Sequence, residues 1–170
     1  MSTQLTDGIT IYNSPEDDTL TEFCNLLNAA TTSIHLADYS FNIMEVVNIL
    51  ITKMKAGVDV KLVLDKSQSK GKTEVPEVKA IQAAGVPTVI VESELHQIMH
   101  NKFTVIDGHI TQDGSWNYTT AASKENNNYF VFDDFDLNFK VAPVYEKVFE
   151  DMWSGKTTVI EEKIAWVYFN

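Results

Sequence analysis

The stretch TSIHLADYSFNIMEVVNILITKMKAGVDVKLVLD, residues 32–65, decides the fold. Its first part, Thr32–Ser40, is rich in β-branched and apolar residues and reads as a strand. Asn42–Lys55 changes to helical period, with Met44, Val47, Leu50 and Ile51 on one face, and Gly57 ends that helix as a C-cap. Val58–Asp65 is nearly continuous in apolar residues, the pattern of a strand buried on both faces. Strand, helix and buried strand in this order form a βαβ unit, which demands a parallel pair with a helix packed on it.

Working outward, the same alternation continues on both sides. Ile9–Tyr12 reads as a short strand. Ser14-Pro15-Glu16 reads as a helix start, with Ser14 as N-cap and Pro15 at N1, and Leu20, Phe23, Cys24 and Leu27 carry that helix to about Ala30. After Asp65, a polar, flexible segment Lys66–Thr73 leads to a helix over Glu77–Ala84, stopped by Gly85, and a strand over Pro87–Glu92. The order then changes. Asn101–Ile106 and His109–Asp113 are joined by Asp107-Gly108, a hairpin signal, and Asn128–Phe132 is a further strand. Asp136 to about Ser154 reads as one long amphipathic helix, with a kink or restart at Pro143. The expected fold is one α/β domain: a mixed, largely parallel sheet with helices on both faces. Residues 1–156 form the domain, and 157–170 form a tail that packs on the core or on a partner subunit.

The stretch that carries chemistry is His100-Asn101-Lys102, Asp107, then Gly114-Ser115-Trp116-Asn117, or H-x-K-x(4)-D-x(6)-G-S-x-N. In a strand, positions two apart share a face, so His100 and Lys102 point the same way, while Met99, Phe103 and Val105 point into the core. An ammonium beside an imidazole suits a phosphate: the lysine holds a non-bridging oxygen while a ring nitrogen attacks or gives a proton. The turn at Asp107 folds the chain back and delivers the second half of the motif. Gly114 lets backbone approach a ligand closely, and Ser115 and Asn117 can donate to oxygens that gain charge.

The motif resembles the HKD signature of the phospholipase D superfamily, and in particular the small bacterial Nuc-type endonucleases with one motif per chain. Ala37-Asp38-Tyr39-Ser40-Phe41 resembles the family's A-x-Y-S-F segment, and Gly57-Val58-Asp59-Val60-Lys61 resembles its G-V-D-V-K strand. Trp153 also fits, so the resemblance covers roughly Ile9 to Trp153. It implies a phosphodiesterase of the phospholipase D type that needs no metal and no cofactor. His100 is then nucleophile or general acid, Lys102 and Asn117 hold phosphate oxygens, Ser115 is a supporting donor, and Asp107 orients the site. The chemistry requires two histidines, so one motif per chain implies a two-fold homodimer. One departure stands out. The family places an acid soon after G-S-x-N, in N-x-E-N, where it pairs with the histidine. Here Asn128 occupies that position and Glu125 is the nearest acid, so these two are the candidates for orienting His100.

Composition sets bounds. The chain has 170 residues, 44% hydrophobic and 22% charged, which excludes a wholly disordered protein. A single cysteine, Cys24, excludes a disulfide framework within the chain and a cluster of thiolate metal ligands. No apolar run reaches the ~18 residues needed to span a bilayer, and no basic, apolar leader opens the chain; the expected location is the cytoplasm, without stable membrane association. Net charge is −11 and every basic residue is lysine. On that total alone a nucleic-acid binder is excluded. The motif reverses this, and the distribution shows why the total misleads: residues 1–50 hold seven acids and no lysine, residues 51–102 eight lysines against six acids, and residues 103–170 eleven acids against five lysines. Lys66, Lys70 and Lys72 follow the most buried strand, at the sheet end where ligands of open α/β sheets bind, and are candidate phosphate-attracting groups. His96 and His100 have the spacing of a zinc helix, but they lie between strands and lack the accompanying Glu. The expected activity is an endonuclease acting on DNA rather than RNA through a phosphohistidine. The alternatives are a phospholipid phosphodiesterase and a nucleic-acid-binding or inhibitory protein with a weakened site.

Overall fold

A computed structural model describes residues 2–72 and 75–164. In chain order the elements are β1 (Thr3–Thr6), β2 (Ile9–Ser14), α1 (Thr19–Ala29), β3 (Ser33–Asp38), α2 (Met44–Lys55), β4 (Asp59–Asp65), α3 (Lys66–Ser69), α4 (Val75–Ala84) and β5 (Thr88–Ser93). There follow β6 (Lys102–Ile106), β7 (Ile110–Gly114), β8 (Asn127–Asp133), α5 (Ala142–Trp153) and β9 (Thr158–Ile164). The strands form one mixed sheet in the order β1-β2-β8-β7-β6-β3-β4-β5-β9.

The βαβ unit is as expected: β3 and β4 run parallel, Ser33 opposite Asp59 through Asp38 opposite Leu64, and β4 runs parallel to β5. The sheet is nevertheless less parallel than the sequence suggests. Parallel pairing is confined to β3, β4 and β5; the other six pairings are antiparallel. The reason is that β6 enters antiparallel beside β3, and the hairpin chain β6-β7-β8-β2 builds outward from it.

Alternation along the strands gives two cores. Ile34, Leu36, Val60, Leu62 and Leu64 face α1, α2 and α4, meeting Phe23, Leu27, Val47, Leu50 and Ile81. Ala37, Val63, Phe103 and Val105 face the other side, against Phe149 and Met152 of α5. Cys24 lies buried in the first core, where burial pushes its thiol up to about 11, so it acts as a small apolar residue. Among the described residues no helix is long and apolar enough to cross a membrane.

Several boundaries differ from the sequence reading. Ser14 does not cap α1; it ends β2 opposite Asn127, and its hydroxyl donates to the Glu125 carbonyl at 2.6 Å. Helix α1 starts later, where Asp18 accepts from Thr21 N. Of the two outcomes expected at Pro143 the restart holds: helix α5 begins at Ala142 rather than at Asp136. The buried Asp134 carboxylate accepts from Val141 N at 2.8 Å and Ala142 N at 3.1 Å, and Pro143 sits in the first turn, where its missing N–H costs nothing. Lys66–Ser69, part of the segment read as flexible, is a short helix capped by Asp65. Of the expected tail, Thr158–Ile164 is the edge strand β9 on β5, while Trp166, Tyr168 and Phe169 lie outside the described residues.

The Asp107-Gly108 turn has positive φ at both residues, 53° and 69°. Asp107 does more than turn the chain. Its carboxylate accepts from the amides of Thr31, Thr32 and Ser33, at 2.7 to 3.0 Å, and from the hydroxyls of Thr31 and Thr32. This clamps the turn to the start of β3. Burial pushes the carboxyl up, but the amides of Ser33, Thr32 and Thr31 outweigh it and hold the group well below the usual carboxylate range. A carboxylate depressed in the folded state stabilises above its unfolded value and loses that contribution as pH falls. Asp107→Asn therefore lowers unfolding free energy by about 2 kcal/mol at pH 7. The difference from wild type shrinks as pH falls below roughly 4, which urea titrations across pH will measure.

Candidate active site

The ends of β3, β4 and β7 and the starts of β6 and β8 gather at one edge of the sheet, and the motif lies there. Lys102 opens β6 directly opposite Asp38, the last residue of β3, on the α1/α2 face. Its side chain is only 7% exposed. The ammonium donates to the His100 carbonyl at 2.8 Å and lies 5.1 Å from the centre of the Tyr39 ring. Burial pushes the Lys102 ammonium down, opposed by Asp38 and Asp113. The exposed His100 sits just before β6, its ring 4.6 Å from that of Tyr39. Burial and the Lys102 charge push the imidazole below its ordinary value, and Asp65 opposes them. At neutral pH it is thus mainly unprotonated and able to act as a nucleophile.

The second half of the motif is held by β8. Ser115 N donates to the Asn128 backbone carbonyl at 3.0 Å and to Asn128 Oδ1 at 3.2 Å; Asn128 N returns a bond to Ser115 Oγ, which donates to Asn127 Oδ1. Asn117 is half-buried, and its side-chain oxygen has no hydrogen-bond partner within the described chain. Tyr118, next to it, is fully buried: its amide donates to Asp38 Oδ2 at 3.1 Å, and its hydroxyl joins Thr104 and Gln112. Asp38 thereby lies at the meeting point of the His100-Lys102 strand and the Gly114–Asn117 loop.

The structure brings His100, Lys102, Ser115 and Asn117 to one edge, but it separates other candidates from them. Asp107 lies at the far end of β6 and clamps β3, so any influence it has on the site passes through strand register. Gly114 approaches its own chain: a Cβ there would meet the Asn128 carbonyl oxygen at 2.2 Å, at φ of 153°. Asn128 is bonded to Ser115, and neither its side chain nor that of Glu125 bonds to His100 within the chain. Lys66 is held by Glu92 and Glu161, each at 3.1 Å, whereas Lys70 and Lys72 are exposed. His96 bonds Glu92 at 2.6 Å, and its segment is not a helix.

Sequence reasoning missed Asp38, Tyr39, Asp65 and Gln68 as site residues. Asp38 and Tyr39 sit inside the A-D-Y-S-F segment quoted for the resemblance. A buried-strand pattern ending in Asp, as at Asp38 and again at Asp65, was the available signal.

A buried lysine and an exposed histidine thus stand at the strand ends of an α/β sheet with a Gly-Ser-x-Asn loop. The chain matches the family described as cardiolipin synthase, PLD-like domain, over residues 23–153, and it belongs to that family, within the phospholipase D superfamily of enzymes. It is similar to Nuc from Salmonella typhimurium, a phospholipase D family member, with a TM-score of 0.77 and 25% identity over 91% of this chain and 97% of that one. NucT from Helicobacter pylori shares the fold, with a TM-score of 0.74 and 16% identity over 89% of this chain and 98% of that one. Among curated relatives, a phospholipase D of Rickettsia felis is 31% identical over 114 residues, 66% of this chain and 55% of the relative. A mitochondrial cardiolipin hydrolase of Chlamydomonas reinhardtii is 25% identical over 79% of this chain and 57% of the relative. The chain thus spans little more than half the length of these curated relatives.

Gly114→Ala forces the new methyl into backbone. Unfolding free energy falls by about 3 kcal/mol, measured by urea denaturation, with a matching loss of whatever activity Ser115 and Asn117 support.

Proposed function

We propose that the protein is an endonuclease that cleaves phosphodiester bonds of DNA through a phosphohistidine, at a site completed by a second copy of the chain. The observation that carries this reading is the convergence of His100, Lys102, Ser115 and Asn117 at one sheet edge, in a fold that matches Nuc along 91% of the chain.

In this reading a nitrogen of His100 in one copy attacks phosphorus. An N–P bond forms as the bond to the leaving oxygen breaks, and the imidazolium of His100 in the second copy gives that oxygen its proton. Water then attacks phosphorus, its proton goes to the second, now neutral imidazole, and the N–P bond breaks. Lys102 and Asn117 of both copies hold the non-bridging oxygens, whose charge grows in the transition state. The two-fold arrangement follows from the need for two histidines and one motif per chain. Against the net charge of −11, Lys70 and Lys72, exposed just past β4 and α3, attract DNA phosphates.

The test is nicking of plasmid DNA in EDTA. Wild type cuts and His100→Ala does not; an active monomer by light scattering overturns the two-copy site. His100 must be neutral in one copy and protonated in the other, so kcat/KM is bell-shaped in pH: it falls at acid pH as the attacking imidazole takes up a proton and at alkaline pH as the other loses its own, with both limbs drawn toward acid pH by the burial and the Lys102 charge that depress the imidazole. Lys70→Ser with Lys72→Ser weakens DNA binding and reduces the slope of log K against log salt by about 2 per chain. Adding Lys66→Ser, whose charge Glu92 and Glu161 already occupy, changes the slope little further.

One observation favours a second reading, a phospholipid phosphodiesterase. The loop before His100 exposes Leu95 (82%) and Ile98 (48%) at the rim of the site, an apolar edge suited to lipid. Inertness toward DNA with turnover of phospholipid vesicles selects it. DNA binding without cleavage selects an inhibitory or binding protein instead.

A further inference from the structure

Phosphodiester cleavage by two copies of His100 makes opposite demands on one side chain. One imidazole must be neutral to attack, and the other must hold a proton for the leaving oxygen. The surroundings of His100 favour the first role. Lys102 stands beside it on β6, the Tyr39 ring from the end of β3 covers one side, and no side chain among the described residues hydrogen-bonds to its ring. The proton-bearing form needs a nearby carboxylate. The position from which the family supplies one is Asn128, which is bonded to Ser115.

Asp65, at the end of β4, is the carboxylate that faces this position. It is 1% exposed. Oδ2 accepts from Met99 N at 2.8 Å, the amide immediately before His100. Oδ1 accepts from Ser67 N at 2.8 Å, Gln68 N at 3.1 Å and the Ser67 hydroxyl at 2.5 Å. It thus builds the α3 turn, from which Gln68 Nε2 donates to the Tyr39 hydroxyl at 2.9 Å. Asp65 reaches the imidazole by two routes: through the Met99 backbone, and through α3 to the ring that lies on His100.

We propose that Asp65 is the positioning carboxylate of His100, fixing the backbone and the neighbouring ring and providing the negative charge that stabilises the imidazolium. The proposal rests on the phosphodiesterase reading for its catalytic meaning. Asp65 touches no substrate; it acts through His100. Among the described residues that act on His100, Lys102 opposes the imidazolium, Tyr39 contributes its ring, and Asp65, hydrogen-bonded to the neighbouring Met99 amide, favours the charge. Its four hydrogen bonds keep the carboxylate in place while the imidazole gains and loses its proton.

The test follows the four histidine C2–H signals by NMR without substrate, His100 being assigned by its loss in His100→Gln. In Asp65→Asn the midpoint of His100 falls by about one pH unit, while those of His35, His96 and His109 stay in place. Asp65→Glu, which keeps the charge, restores most of the difference. An unchanged His100 midpoint in folded Asp65→Asn overturns the proposal. Should that variant not fold, the wild-type protein decides: the Asp65 carboxyl carbon must show a step at the pH where His100 titrates, and a flat signal there overturns the proposal. Because these readouts need no turnover, inertness toward DNA and lipid with the coupling intact would count against the phosphodiesterase reading alone. In the active enzyme, the alkaline limb of kcat moves down with the imidazolium in Asp65→Asn, a shift that loss of fold stability does not produce.

Discussion

The antiparallel pairing of β6 with β3 is the constraint on which the rest of the structure depends. It joins the βαβ half of the sheet to the hairpin half, and it is fixed at both ends by a carboxylate. At the far end Asp107 gathers the amides of residues 31–33. At the near end Asp38 stands opposite Lys102 and binds the Tyr118 amide. A slip of one residue would turn Lys102 toward α5 and expel Phe103 from its core, so register and site are specified together.

That register buries a cation, which is costly unless the charge is met. Here it is met four ways: by Asp38, by Asp113, by the His100 carbonyl and by the face of Tyr39. The same arrangement leaves His100 outside, short of hydrogen bonds and mainly neutral. The lysine is buried and hydrogen-bonded and the histidine accessible, a division that suits one group to hold phosphate and the other to react with it. The loop that brings Asn117 leaves β7 by a close approach: Gly114 lies so near the Asn128 carbonyl that no side chain fits between β7 and β8.

Much of this was legible in residues. The β3–α2–β4 unit follows from residues 32–65 because a period of two, a period of about 3.6 and an unbroken apolar run have no other common solution. The Asp-Gly hairpin was legible because those two residues tolerate positive φ. The errors share a cause. Ser14 looks like a helix cap, and Asp136–Ser154 looks like one helix, if only local signals are weighed. Pairing with β8 took Ser14, and a buried carboxylate eight residues before the start of α5, Asp134, set where that helix begins. The parallel character was overestimated because the side of β3 on which β6 inserts is not encoded in periodicity.

The sequence by itself determined the chemistry available: a histidine and a lysine two apart, a Gly-Ser-x-Asn after a turn, one set per chain, and a lysine-bearing middle in an acidic protein. These are identities and spacings along the chain, and local geometry is enough to read them. Only the tertiary structure decided which carboxylates serve the site. Asp107, the motif's own acid, went to the far end of the sheet; Asp38 and Asp65, each closing a buried strand, came to the near end beside Lys102 and His100. The charge of Lys66 is paired with Glu92 and Glu161 of two other strands. The physical reason is that an ion's partner is chosen by distance in space. Here that distance is set by strand order and register, which bring together residues tens of positions apart.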